Sequence, residues 1–346
     1  QKSVFTSNTG VIGASHLYFF NDKLYSKLTV AFSGTGITSE IQEKKTSPEP
    51  ILLLASSYQQ NKYAAHYKLN KKINARNKLS GGAIYEHYQL NMIDSSRSMF
   101  GDGTFHISTD FKGKADLLQS YFQWQHRFSS HFTMNSGIHS QHFLLNNSHA
   151  LEPRIGFKYD LNKKHALSFG NGFHSQLQPI VVYFREDDSN NLPNENLDFS
   201  RAFHSVLGHD YFINKNMRLK SELYFQYLYD IPVDTFSSSF SMLNAGADFS
   251  LPDRTGIVNN GVGINYGLEL TLERFFNKGF YYLTTVSLFE SKYKGSDGVL
   301  RNTLFNGNYV INGLAGKEFK IKDNNILSFD VKVTLAGGRR YTPIDF

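Results

Sequence analysis

Residues 217–231 read MRLKSELYFQYLYDI and alternate between two kinds of side chain. Apolar or aromatic residues occupy nearly all the odd positions, whereas Arg218, Lys220, Glu222 and Asp230 occupy even ones. Successive side chains of a β-strand point to opposite faces, so this stretch predicts a strand with one apolar and one polar face. Segments 165–177, 263–275 and 326–337 follow the same pattern.

Seven short turns rich in Asn and Lys separate these strands in pairs. They are Asn21-Asp22-Lys23, Asn70-Lys71-Lys72, Ser129-Ser130, Asn162-Lys163-Lys164, Asn214-Lys215-Asn216, Asn277-Lys278-Gly279 and Asp323-Asn324-Asn325. The alternate connections are long and irregular, near 39–51, 94–114, 179–197, 233–261 and 295–307. Short turns on one rim and long loops on the other are typical of a membrane β-barrel.

The pattern predicts an all-β fold, an antiparallel up-and-down transmembrane β-barrel meander of about fourteen strands. The predicted strands are 4–20, 23–38, 52–70, 77–93, 115–128, 132–146, 151–161, 165–178, 198–213, 216–232, 262–275, 280–294, 308–321 and 326–338. Many exceed the ~10 residues that a tilted strand needs to cross lipid. We therefore expect the strands to project beyond the membrane on the side of the long loops.

The composition of the 346 residues agrees with this prediction: Phe (30) and Tyr (20) are abundant and charged residues are only 19%. No stretch approaches the ~20 apolar residues of a membrane helix, and a membrane protein without one must be a closed barrel. The net charge of +6 is scattered without a basic cluster, which argues against nucleic-acid binding. Cysteine is absent, as in many envelope proteins.

Aromatic residues gather beside four of the short turns, as at Tyr18-Phe19-Phe20 and Phe275-Phe276. Rings at this height are typical of the interfacial girdle of a membrane barrel. The alternative is ordinary packing at strand ends in a soluble β protein.

Several stretches resemble the barrel of outer-membrane TonB-dependent receptors of Bacteroidetes-like Gram-negative bacteria. Residues 263–273 (GINYGLELTLE) resemble the "G-x-E-L" strand of that family, and residues 151–156 (LEPRIG) its "E-P-R" strand start. Residues 194–200, 308–318 and 337–343 resemble its mid-barrel loop exit and late strands. The resemblance spans nearly the whole chain through many short matches.

The resemblance implies that residues 1–346 are one partial transmembrane β-barrel domain, the central part of a 22-strand barrel in the bacterial outer membrane. The plug domain and the terminal barrel strands of the family find no counterpart in the sequence. The implied partners are outer-membrane lipid, a small-molecule ligand and, through the plug, an inner-membrane energy-coupling protein.

Seven residues of the long connections are candidates for ligand binding, because exposed rings stack on sugars or catecholates and Arg pairs with anions. They are Phe100, Phe105, Tyr183, Phe184, Arg185, Phe236 and Phe240. Packing of loops against each other is the alternative role. Glu186-Asp187-Asp188 offers oxygens for Ca²⁺ or a cationic ligand, with a solvated charge run as the alternative.

No catalytic or cofactor motif is present in the sequence, and we expect no enzyme activity, cofactor or metal site. His139 and His142 differ in strand parity, as do His204 and His209, so neither pair can chelate a metal together.

The leading hypothesis is a receptor for energy-coupled uptake of a scarce ligand, such as a ferric siderophore, cobalamin or an oligosaccharide. The alternatives are a passive porin-like channel or outer-membrane barrel enzyme, or a soluble β-rich adhesin or lectin.

Overall fold

The computed structural model describes residues 2–43, 50–97, 104–187, 189, 191–245, 254–322, 325–338 and 340. Nearly all regular structure is one antiparallel sheet whose continuous path follows the order of the strands in the sequence. Among the described residues, no helix is long and apolar enough to cross a membrane.

The sheet contains fifteen strands. They are β1 (Lys2–Asn21), β2 (Leu24–Glu43), β3 (Ile51–Lys72), β4 (Asn77–Arg97), β5 (Phe105–Arg127), β6 (Phe132–Phe143), β7 (Ser148–Asp160), β8 (His165–Gln176), β9 (Ser200–Asn214), β10 (Met217–Asp234), β11 (Ile257–Asn277), β12 (Phe280–Lys294), β13 (Leu300–Asn302), β14 (Tyr309–Ile321) and β15 (Asn325–Ala336). A single helical turn, α1 (Ile180–Tyr183), and a 3-10 turn, Met242–Asn244, lie in the connections.

The predicted meander is confirmed, because fourteen strands form the continuous path of the sheet. The short β13 lies off this path and pairs with β12. β13 lies in the predicted connection 295–307 and was missed. The predicted connection 94–114 was wrong over most of its length, because β4 runs to Arg97 and β5 begins at Phe105. Part of the seventh short turn, at 323–324, lies outside the described residues.

The two faces of the sheet differ as the alternation predicts. Across β10 and β11, Leu223 pairs with Leu268 on one face, and Glu222 pairs with Glu269 on the other. Leu223 is 54% exposed, so the apolar face looks outward. A globular core would bury that side chain, whereas a barrel wall presents it to lipid.

Aromatic residues follow the rim of the short turns, and Phe19, Phe128 and Phe276 are all exposed there. Rings also contact each other across the turns, as Phe128 stacks on Phe132 with centroids 5.0 Å apart. The aromatic residues beside the short turns thus lie at the height predicted for the girdle, although the register places Phe19 on the inner face, in line with Tyr25 and Asn70.

The opposite rim is uneven. β2 to β5 contain 20 to 23 residues each, whereas β6 and β8 contain 12 each. The ladder between β5 and β6 begins at the pair Leu117–Phe143. Residues 105–116 therefore rise above the β6–β7 hairpin as part of a tall wall.

Candidate luminal ligand site

A folded connection fills the inner side of the tall wall. Residues 177–199, between β8 and β9, carry α1 and form a compact apolar cluster with inward side chains of the wall. The fully buried residues Phe143, Tyr183 and Phe199 lie in this cluster, together with Leu90, Met92, Ala115 and Leu117 of β4 and β5. The buried apolar core of the described residues is therefore inside the lumen, on the side of the long loops.

Two predicted ligand rings belong to this core. Tyr183 packs against Phe143 with ring centroids 4.9 Å apart, and Phe184 stacks on Phe111 at 4.7 Å. Both rings are buried, so the expectation that they are exposed is corrected, and packing of the loop explains their position. Burial raises the pKa of Tyr183, because the charged phenolate is poorly solvated there.

Arg185 also contacts the wall. Its Nη1 lies 2.8 Å from Asp94 Oδ2 on β4, and both side chains are largely shielded. Asn194, fully buried, donates from Nδ2 to the carbonyl oxygens of Val182 (3.1 Å) and Arg254 (2.8 Å). Its Oδ1 accepts from the amide of Ile257 at 3.2 Å. These polar contacts fix connection 177–199 to the wall and to the start of β11.

The other predicted ligand residues are dispersed. Phe236 is 62% exposed and Phe105 is exposed at the start of β5, whereas Phe240 packs beside the apolar cluster, with Arg254 Cζ 5.0 Å from its ring centroid. Phe100 lies outside the described residues. The structure does not bring these residues together with Arg185, and a ligand role for any of the seven stays a prediction.

In the acidic run at 186–188, the carboxylate of Asp187 accepts hydrogen bonds from the backbone of the same connection. Asp187 Oδ1 accepts from the amides of Ser189 and Asn191 at 2.9 Å each. These bonds, that from Asn191 first, hold the pKa of Asp187 below its usual range. Asp188 lies outside the described residues, within which no cluster of three potential metal ligands occurs.

A polar groove of about 860 Å³ lies on the inner face of β3 to β9, nearer the short-turn rim. We call it the luminal groove. Its inward side chains include Lys68, Asn70, Lys78, Ser80, Tyr121, Gln123, His139, Arg154, His174 and His204. Gly156, Gly170 and Gly172 form part of its floor. Nothing lies within 4 Å of a Cβ built on Gly170, so the groove is open above that position.

The luminal groove is positively charged. Lys68 and Lys78 contribute cations, none of the described residues that line the groove is Asp or Glu, and the charge of Arg154 is balanced by Glu152 beside the groove. Asn70 and Ser80 face each other across β3 and β4. The Nδ2 of Asn70 and the Oγ of Ser80 are buried without a hydrogen-bond partner in the described part of the chain. Buried polar atoms are normally paired, so water or the oxygen atoms of a ligand would be the partners of these two groups in the groove.

Beside the groove, Glu152 is held by a dense network. This carboxylate is 2% exposed and accepts from Gln141 Nε2 at 2.7 Å and the Ser175 amide at 3.1 Å. His139 Nδ1 lies 3.1 Å from it, and Arg154 forms an ion pair with it. The network orients the guanidinium and the imidazole along the edge of the groove, because the buried charge requires several partners.

Two histidine pairs were not found from the sequence. The rings of His174 and His204 lie 4.4 Å apart on the inner face, and those of His165 and His209 lie 5.3 Å apart on the outer face. Each pair joins β8 to β9. The prediction that His204 and His209 lie on opposite faces is confirmed.

Residues 14–295 match a protein family described as a family of unknown function, DUF6850. The chain belongs to this family. No curated protein matches the sequence.

Solved structures similar to this DUF6850 chain include outer-membrane receptors. The ferric yersiniabactin uptake receptor FyuA from Yersinia pestis is 12% identical with a TM-score of 0.68, over 96% of this chain and 50% of that one. The pyoverdine outer membrane receptor FpvA from Pseudomonas aeruginosa, bound to pyoverdine, is 11% identical with a TM-score of 0.66, over 96% and 55%. BauA, the ferric preacinetobactin receptor from Acinetobacter baumannii, is 12% identical with a TM-score of 0.65, over 96% and 53%.

At these identities the likeness shows the fold, which is that of the barrels of outer-membrane receptors. The DUF6850 chain spans about half the length of the receptors it matches. Such partial coverage fits the predicted fragment of a larger barrel.

Proposed function

We propose that this chain is part of the wall of an outer-membrane receptor that takes up a scarce ligand by energy coupling. The ligand class is a ferric siderophore, cobalamin or an oligosaccharide. A plug domain in the whole protein would make the contact with the inner-membrane energy-coupling protein. The proposal includes no enzymatic step and places the protein in the outer membrane of a Gram-negative bacterium of the Bacteroidetes type.

The luminal groove is the observation that carries the proposal. A passive channel needs an open, hydrated lumen, whereas here connection 177–199 packs into the lumen on the loop side. Below it, the groove presents cations and the unpaired donors of Asn70 and Ser80. Such donors suit a ligand or protein segment that carries carboxylate or other anionic oxygens.

Uptake by cells that produce the whole protein tests this function. The probes are catecholate and hydroxamate siderophores loaded with radioactive iron, radiolabelled cobalamin and maltodextrins. We expect uptake of one probe to require the protein and to stop when a protonophore collapses the inner-membrane potential. Uptake that continues after the protonophore would favour a passive channel and contradict energy coupling.

A groove-filling variant, Gly170→Phe, links uptake to the groove. The backbone leaves space for the new side chain, which would occupy the volume of the ligand or segment. We expect uptake to fall at least about tenfold, which requires only ~1.4 kcal/mol of lost binding. Gly313→Phe is the matched control, since Gly313 also has nothing within 4 Å of a built Cβ and lies on the outward face of β14. Equal uptake by the two variants would exclude the groove.

A further inference from the structure

Six polar residues form two rows on three neighbouring strands of the tall wall. Asn61 of β3 pairs with Gln89 of β4, which pairs with Lys114 of β5. One step further from the short turns, Gln59, Asn91 and Lys112 repeat this order. These residues, which we call the outer shelf, line a shallow pocket of about 340 Å³.

The outer shelf lies on the outward face of the sheet. Tyr63, Tyr85 and Leu118 share its strand parity and are exposed apolar residues of the outward surface. Gly113, between the two shelf lysines, faces inward, because a Cβ built there would meet Phe111 and Phe184 of the luminal core. The shelf is thus separated from the luminal groove by the thickness of the wall.

An aromatic row lies directly beneath the shelf. Phe32, Tyr63 and His87 are neighbours across β2, β3 and β4. The Phe32 and Tyr63 rings are 5.0 Å apart, and the Tyr63 and His87 rings are 6.1 Å apart. β3 ends at Lys72, so about ten residues separate this row from the short-turn rim, the length that crosses the hydrocarbon. A hydrocarbon layer that begins at the short-turn rim would end at this row, and the shelf would then lie among the lipid headgroups.

The charge of the shelf suits an anion. Lys112 and Lys114 are exposed, and neither forms an ion pair within the described residues. Asp116, in the row beneath, accepts from the Tyr85 hydroxyl at 2.6 Å and lies 2.7 Å from His87 Nδ1, so its carboxylate is already engaged. Asp110 is exposed on the same face, one step beyond Lys112, and bounds the basic area on its far side.

The shelf also has space and unused polar groups. Gly34 and Gly36 of β2 continue its two rows, so no side chain closes this end. The Oδ1 of Asn91 is buried without a hydrogen-bond partner in the residues that the structure describes. Amide groups bond sugar hydroxyls, and ammonium groups bond phosphate.

We propose that the outer shelf binds the phosphorylated sugar headgroup of a glycolipid in the outer leaflet. Lys112 and Lys114 hold its phosphate, and the amides of β3 and β4 hold the sugar. The acyl chains then descend past Tyr63 and Tyr85 along the apolar band. This site is independent of the luminal groove and of ligand uptake, and requires only that the chain spans the membrane.

Lipid retention by the purified whole protein tests the site. The protein is reconstituted in phosphatidylcholine vesicles that contain either bisphosphorylated lipid A, dephosphorylated lipid A or phosphatidylglycerol, then extracted in mild detergent and analysed by native mass spectrometry. We expect retention of bisphosphorylated lipid A only. Equal retention of dephosphorylated lipid A would overturn the role of the phosphate, and equal retention of phosphatidylglycerol that of the sugar.

Variants locate the site. Lys112→Ala/Lys114→Ala should reduce lipid A retention roughly tenfold or more, because each lysine near an anionic surface contributes appreciable attraction. Lys112→Arg/Lys114→Arg should restore it. Lys163→Ala/Lys164→Ala, in an exposed turn at the opposite rim, is the charge-matched control and should retain lipid A as the wild type does. Equal retention by the shelf variant and this control would overturn the proposal, whereas ligand uptake should be unchanged in all of them.

Discussion

At the scale of single residues, glycine–tyrosine pairs recur between neighbouring strands on the inner face of the sheet. Gly267 faces Tyr224 across β10 and β11, and Gly82 faces Tyr121 across β4 and β5. A Cβ built on Gly267 would lie 2.8 Å from the Tyr224 hydroxyl and 2.5 Å from the carbonyl oxygen of Leu288. The glycine therefore leaves room for the neighbouring ring to lie flat along the wall.

Gly267→Val should destabilise the barrel by about 1–3 kcal/mol, because the β-branched side chain overpacks a site bounded by backbone. The measurement is urea unfolding of the whole protein in lipid vesicles. Gly10→Val is the control, since Gly10 lies in a strand and has nothing within 4 Å of a built Cβ. An unfolding midpoint for Gly267→Val equal to that of the control would contradict this account.

Tyr183 predicts an alkaline transition of the loop. Its pKa is raised in the folded state, so the stability from the buried neutral phenol is fully present below the ordinary tyrosine pKa near ~10. This stability is lost as the pH rises through the higher folded-state value. We expect connection 177–199 to leave the wall in that alkaline range and to stay packed at neutral pH.

A single fluorescent label can follow this transition, since the chain has no cysteine and Ser189 is exposed on the connection. Ser189→Cys labelled with an environment-sensitive dye should change its emission only above pH ~10. Adding Tyr183→Phe removes the ionisable hydroxyl and should abolish the change. An identical alkaline response in both proteins would assign the transition to other groups.

Connection 177–199 is the decisive element on the loop side. Its contacts are long-range, because Arg185 reaches β4 and Asn194 joins α1 to residues 254–257. Without these contacts, the conformational entropy of a connection of this length would oppose its folded state. The buried amide of Asn194 and the aromatic contacts of Tyr183 and Phe184 stabilise it together.

Asn194→Ala should release the connection, because it leaves the Val182 and Arg254 carbonyls and the Ile257 amide without their partner. The expected cost is about 1–3 kcal/mol for each buried group left unpaired. Hydrogen exchange should accelerate in 177–199 and 254–258 while β10 remains protected. Uniform acceleration over the sheet would indicate global destabilisation instead.

Strands and turns were predictable from the sequence because each has a local signal. Period-two alternation and the Asn/Lys turns gave the fourteen strands of the continuous path. β5 begins earlier than predicted, since residues 105–114 contain Gly, Asp and Thr and become a strand by pairing with the upper half of β4. β13 has three residues, too few for a periodic signal.

The site was less predictable, because it depends on register between strands joined by long connections. His174 meets His204 only through the alignment of β8 with β9 across residues 177–199. The luminal groove likewise combines inward residues of seven strands. The outer shelf has a local signal in the sequence, because pairs of polar residues two positions apart recur at matching distances from the turns. These pairs are Gln59/Asn61, Gln89/Asn91 and Lys112/Lys114. Only the strand register shows that they align.

At the scale of the whole molecule, the described sheet has two edge strands, β1 and β15. Within the described residues, β1 pairs only with β2, and β15 only with β14. Unpaired strand edges promote association. We expect this chain alone to aggregate or unfold in sodium dodecyl sulfate without heating.

The whole protein provides the comparison. It should migrate as a compact, heat-modifiable species in the same unheated gel, because a closed barrel has no free edge. If this chain alone showed the same compact migration, β1 and β15 would have to pair with each other, and the larger barrel proposed here would be wrong.

Because the strands differ in length, the rim on the side of the long loops is higher at β5 than at β6 and β7. β5 rises beyond the β6–β7 hairpin by residues 105–116, about 30 Å of wall when the strand rise and tilt are combined. An opening cut at such a slant admits solutes from its low side and shields the lumen on its high side. In a receptor of the kind proposed above, the low side above β6 to β8 would be the more open approach to the lumen, and the inner face of β4 and β5, where connection 177–199 is packed, would form the back wall.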